Sequence, residues 1–117
     1  MPHPRIGQQV TFLYTDDLET GSAFYEKSLG LELVLDQGPC RLFRIGPDSF
    51  VGICNRRDRP RGTDGVVVTF VVDSVDAWCA HLTDKGVAIE RLAAYSETYK
   101  VYSAFFRDPA GYLLEVQ

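Results

Sequence analysis

Glu115 sits in an otherwise apolar closing segment, GYLLEVQ, and is the first candidate for acid–base chemistry. A carboxylate aimed into a cavity serves as a general base or anchors a ligand's cation or hydroxyl, whereas on a solvated strand it does neither. Strand alternation groups Glu115 with Leu113 and Gln117, against Tyr112, Leu114 and Val116. The two histidines add little: His3 lies in a terminal PHP stretch expected to be exposed. His81 falls roughly 100° away from the Val75, Trp78 and Leu82 face of a predicted helix, so it points to the flank or to solvent. Cys40, Cys54 and Cys79 are odd in number and show no CxxC spacing, so they read as small buried residues in a reducing compartment rather than as disulfides or zinc ligands. Neither Cys40 nor Cys54 has a neighbouring His or helix N-terminus to mark it as an activated thiolate. Arg41 and Arg44 fall on opposite faces of one strand, which leaves open which of them faces a cavity and meets an anion or Glu115.

The remaining candidate ligand contacts are apolar and aromatic. Val10, Phe12 and Tyr14 share a face of QVTFLYT, and Val67, Thr69 and Val71 share a face of GVVVTFVVD; Tyr102 and Phe106 share a face of VYSAFF. Such a lining suits a flat or greasy small molecule, and it is equally the lining of a plain protein core. The stretch AAYSETYK, Ala93 to Lys100, is expected as a loop, with Tyr95 and Tyr99 either closing over a pocket or belonging to a surface turn.

These side chains need a scaffold, and the sequence supplies one twice. QVTFLYT reads as a strand; Asp16 with Glu19 then resembles a capping box opening a helix of about three turns that stops at Gly30. Three short strands follow: LELVLD, CRLFRI and FVGICN, parted by the turn signals QGP and GPDS. NRRDRPRGTDG has no hydrophobic period and reads as a solvated connection whose interleaved aspartates weaken any anion-binding story for its four arginines. After it the pattern restarts: a strand, a helix capped by Ser74 or Asp73 and stopped at Gly86, then VAIERL, VYSAFF and GYLLEVQ. The repeat has an offset of 57 residues, as from Val10 to Val67, which also aligns Leu18 with Val75 and Tyr25 with Leu82. The expected fold is α+β: two βαβββ modules in one domain, about 9–55 and 65–117, with a linker at about 56–64.

Composition bounds the partners. In 117 residues, sixteen Asp and Glu outweigh twelve Lys and Arg for a net charge of −4, which argues against a nucleic-acid binder. No apolar run approaches the roughly 20 residues of a membrane span and MPHPRIG carries no apolar signal region, so a cytoplasmic protein away from membranes is expected.

FYEKSLGLEL, Phe24 to Leu33, and DPAGYLLE, Asp108 to Glu115, within paired βαβββ modules resemble the vicinal oxygen chelate superfamily of glyoxalases, bleomycin resistance proteins and dioxygenases. The resemblance implies half-barrel modules enclosing a cavity, homodimers, and in many members a divalent metal held from the first and last strands of each module. Carried onto this chain, the first-strand positions are Val10 and Val67, one last-strand position falls on Gly52 or Ile53, and only Glu115 keeps a carboxylate. One carboxylate does not hold a transition metal, which needs three or four converging donors. The expectation is therefore a homodimeric protein, without the standard metal cofactor, that binds a small apolar or aromatic molecule through Phe12, Tyr14, Thr69, Tyr95, Tyr99, Tyr102 and Phe106, with Glu115 as the candidate catalytic or anchoring group. The alternatives are a lyase, isomerase or conjugating enzyme using Glu115 as base or as ligand of an off-pattern metal, and a dimeric scaffold without a working cavity.

Overall fold

In the computed structural model, which describes residues 3–57 and 61–117, the chain divides into two units, Met1–Pro60 and Arg61–Gln117. The first runs β1 (Gln9–Thr15), α1 (Leu18–Ala23) continued by a π-helical turn (Phe24–Ser28), β2 (Glu32–Asp36), β3 (Cys40–Gly46) and β4 (Ser49–Asn55). The second runs β5 (Val67–Phe70), α2 (Val75–Asp84), β6 (Ile89–Ser96), β7 (Val101–Arg107) and β8 (Leu113–Val116). Each unit is one four-stranded sheet, ordered β1-β4-β3-β2 and β5-β8-β7-β6, whose first strand lies parallel to its last. The repeated spacing in the sequence is thus a repeated topology, and the expected α+β architecture of two βαβββ modules holds.

Local chemistry sets the element ends. Ser74 caps α2, its hydroxyl accepting from the Ala77 amide at 3.0 Å. Asp17, not Asp16, caps α1: its carboxylate accepts from the Thr20 amide at 3.1 Å and the Thr20 hydroxyl at 2.7 Å. The expected Asp16–Glu19 box is corrected because both side chains are turned to arginines, Asp16 lying 3.5 Å from Arg56 and Glu19 2.7 Å from Arg41. Gly30 and Gly86 end the helices with φ of +84° and +80°, a conformation that other residues adopt at a cost.

One face of each sheet is covered by its helix. Tyr25 and Phe43 are fully buried and stack with centroids 6.1 Å apart, alongside Leu13, Val51 and Ile53. The helix lies close because residue 21 is glycine: a Cβ there would stand 3.2 Å from the Ile53 methyl. In the second unit Val68, Phe70, Ala104, Phe106, Leu114 and Val116 join Val75 and Leu82 of α2 in the core.

Two expectations about connections change. Ala93 to Lys100 is not a loop throughout; β6 runs on to Ser96, and a short turn joins it to β7. Ser96 organises that turn, accepting from the Lys100 amide through its carbonyl at 2.7 Å and from the Tyr99 amide through its hydroxyl at 3.1 Å. The connection at 56–64 is not solvated at its start: Arg56 is buried and donates to the Tyr14 carbonyl at 2.9 Å. Its Asp58, Arg59 and Pro60 lie outside the described residues. Among the described residues no helix is long and apolar enough to cross a membrane.

Candidate functional site

The face of each sheet turned away from its helix is where side chains can meet a ligand. On the second sheet this open face holds a groove of about 640 Å³. Val67 and Thr69 of β5, Glu115 of β8, with Gln117 just beyond it, Ser103 and Phe105 of β7, and Arg91 of β6 line it, with Tyr99 and Lys100 contributed by the turn. The register explains the company Glu115 keeps: it lies opposite Thr69 on one side and Phe105 on the other. Thr69 donates its hydroxyl to Glu115 Oε1 at 2.7 Å. Among the described residues Glu115 makes no ion pair, and Thr69 is its hydrogen-bond partner in the groove.

Two positive groups share that face. The Arg91 guanidinium lies 4.8 Å from the centroid of the Phe105 ring, a cation–π placement. Lys100 stands at the groove's end with φ of +57°, in the hairpin turn. The groove therefore offers an aromatic and aliphatic floor, one carboxylate and two cations.

The seven sequence-predicted ligand contacts divide by face. Thr69 and Tyr99 line the second sheet's groove, and Phe12 and Tyr14 line a separate groove of about 360 Å³ on the first sheet. Phe106 is fully buried on the helix side, and Tyr102 reaches α2, its hydroxyl donating to Asp76 at 2.5 Å. That hydrogen bond, ahead of desolvation, holds the Tyr102 phenol above its ordinary pKa. Tyr95 pairs with Tyr102 across the hairpin and so shares its face. For β7 the expected face is thus corrected: Val101, Ser103 and Phe105 are its groove residues. Sequence reasoning also missed Arg91, which is set by its pairing with Phe105, and Lys100, which is set by the hairpin turn.

The first sheet differs at the equivalent place. Thr69 pairs with Glu115, and its counterpart Phe12 pairs with Gly52, so Gly52 rather than Ile53 is the counterpart of Glu115. The Phe12 ring approaches Gly52 closely: a Cβ at residue 52 would come within 2.6 Å of Phe12 Cδ1. Arg44 is the strand arginine on this open face, over the Phe50 ring at 5.1 Å and paired with Glu32 at 3.2 Å; Arg41 faces α1. A divalent metal of the kind the sequence resemblance implies does not fit these residues: the strand positions carry Val10, Gly52 and Val67, which have no donor. Among the described residues no three His, Cys, Asp or Glu side chains gather to hold an ion.

The cysteines depart from expectation. Cys40 and Cys54 stand directly opposite across β3 and β4 and are joined by a disulfide, with Cα atoms 4.0 Å apart. Cys79 stays free and half-buried, and desolvation, then the nearby Asp76, raises its thiol pKa. His81 packs edge-on against Trp78 at 5.2 Å on the outside of α2, and His3 is exposed, each away from both grooves.

Comparison with known proteins agrees with this architecture. The crystal structure of lactoylglutathione lyase from Agrobacterium tumefaciens is similar over 99% of this chain and 94% of its own, with 27% identity and a TM-score of 0.77. A glyoxalase/bleomycin resistance protein from Streptomyces sp. CB03234 is 24% identical over 94% of this chain and 98% of its own, with a TM-score of 0.74. A glyoxalase/bleomycin resistance protein/dioxygenase family enzyme from Burkholderia phytofirmans PsJN is 18% identical over 92% and 94%, with a TM-score of 0.75. No curated protein matches significantly. A family model matches residues 6–116, and with it the chain belongs to the Glyoxalase/Bleomycin resistance protein/Dioxygenase superfamily.

Proposed function

We infer that this protein binds a small, largely aromatic organic molecule in the groove of the second sheet, without the divalent metal that many superfamily members use. The observation that carries this reading is Glu115: a carboxylate with a neutral partner, Thr69, set over an apolar floor beside Phe105. A planar ligand stacks on Phe105 and Tyr99, its hydroxyl or cationic nitrogen meets Glu115, and an anionic substituent reaches Arg91 or Lys100. In this reading the chain works as a homodimer in the cytoplasm, and sedimentation velocity tests the dimer.

The 27% identity to lactoylglutathione lyase favours one second reading, a lyase or isomerase in which Glu115 takes a proton from carbon. One experiment separates the two. Thermal stability is followed against a panel of planar aromatic compounds with and without a hydrogen-bond donor, and each mixture is then checked for product. Binding predicts saturable stabilisation of about 2.7 kcal/mol at a hundred times Kd and an unchanged ligand. Glu115→Gln then weakens donor-bearing compounds about tenfold, as loss of one charged hydrogen bond requires, and spares the others. Turnover abolished by Glu115→Gln establishes the enzyme instead. Near-stoichiometric metal in untagged protein, lost in Glu115→Ala, overturns the metal-free reading.

A further inference from the structure

The disulfide of the first sheet borders a groove, although Cys40 itself is buried. Cys40 is the first residue of β3 and Cys54 the sixth of β4, a directly opposed pair at the end of the hairpin away from its turn. Tyr14 pairs with Cys54 from β1, and Tyr14, Phe12 and both cysteines line the same groove of about 360 Å³. The sulfurs therefore face the open side of the sheet. Cys54 is two residues beyond Gly52 as Gln117 is two beyond Glu115, so the disulfide occupies in one unit the place that lines the ligand groove in the other. Cys40 is 8% exposed as a residue and Cys54 is the more exposed of the two. The same groove is lined by Arg56 and Arg57, with Asn55 and Gln37 beside them.

We propose that Cys40–Cys54 is a thiol-exchange site for small anionic thiols. The thiolate of a carboxylate-bearing thiol enters the groove beside Arg57 and attacks Cys54 Sγ in line with its bond to Cys40. A new sulfur–sulfur bond forms between the thiol and Cys54, the Cys40–Cys54 bond breaks, and Cys40 leaves as a thiolate. A second thiolate attacks the first thiol's sulfur in the mixed disulfide and releases Cys54 as a thiolate. Two small thiols are thereby oxidised to their disulfide, and the protein disulfide takes up the two electrons. The exposed Arg57 stabilises the incoming negative charge, and Cys54, the more exposed residue of the pair, is the one attacked.

The test uses the folded full-length chain prepared without reductant. It is exposed to mercaptoacetate, 2-mercaptoethanol or cysteamine at matched thiolate concentration, quenched with iodoacetamide and mapped by mass spectrometry. The expected result is a mixed disulfide on Cys54 and an alkylated Cys40. Mercaptoacetate should react about tenfold faster than cysteamine at low salt, a gap that shrinks as salt screens Arg57. Arg57→Gln should narrow the gap and Arg57→Lys should keep it. A disulfide that yields only in denaturant overturns the proposal and leaves it a plain staple. So does an adduct on Cys40, or equal rates for the three thiols. Cysteines that are reduced as isolated and are not oxidised by the disulfide of mercaptoacetate also overturn it.

Discussion

Glu115 is aimed by the turn that precedes its strand, and that turn hangs on Asp108. Asp108 is 7% exposed, and its Oδ1 accepts from the Ala110 amide at 3.0 Å and the Tyr112 amide at 2.9 Å. The backbone closes around it, with the Asp108 amide donating to the Tyr112 carbonyl and the Gly111 amide to the Asp108 carbonyl, each at 3.0 Å. Asp108→Ala removes the acceptor of two amides at once. Hydrogen bonds to a charged acceptor contribute about 1.5–3 kcal/mol each. The Ala110 amide, at a half-buried residue, regains water, whereas that of Tyr112, at 4% exposure, does not. The expected loss is therefore about 3 kcal/mol, nearer the lower limit of the pair. Asp108→Asn keeps a carbonyl oxygen in the same place without its charge and should lose about 1 kcal/mol. In urea unfolding, at a slope of about 2 kcal/mol/M, the midpoints fall by about 1.5 M and 0.5 M. A loss below about 1 kcal/mol for Asp108→Ala, or equal losses for the two variants, would show that the carboxylate is not what holds the turn.

Leu82→Ala empties a fully buried position of α2 and should cost about 2–5 kcal/mol in the same assay, with a loss under 1 kcal/mol counting against the described core. Ser74→Ala removes the hydroxyl that accepts from Ala77 and should cost about 1 kcal/mol, whereas Ser74→Asp should retain most of it. Glu90 is held below the ordinary carboxylate pKa, first by the Arg107 hydrogen bond at 2.9 Å. Its folded value lies below the unfolded one, so its contribution is complete above the unfolded value near 4.5 and fades as pH falls through the lowered folded value. Carboxyl NMR should place the Glu90 midpoint below 4.5 and Arg107→Gln should raise it; a wild-type midpoint at or above 4.5 would exclude the pairing in solution.

The sequence by itself determined what depends on neighbours along the chain. A helix cap at Ser74 or Asp73, the glycine stops at 30 and 86, the turn after Asp108 and the alternation that groups Thr69 with Val67 and Glu115 with Gln117 are local, because each is decided by bonds or sterics within a few residues. The repeat between Val10 and Val67 added the topology, since two like segments fold alike. Tertiary structure decided the rest. VYSAFF carries apolar or aromatic residues on both faces, so alternation does not say which face is covered; the packing of α2 buries Phe106 and Ala104 and leaves Phe105 and Ser103 to the groove. Irregularities in pairing between Ile89 and Ala94 shift which β6 residues face that groove, and so bring in Arg91. Cys40 and Cys54 are separated by 14 residues, a spacing that carries no motif. Only the register of β3 on β4, itself shifted by an irregularity between Arg44 and Gly46, sets the two sulfurs side by side. Register is a property of two strands together, and no single stretch of sequence contains it.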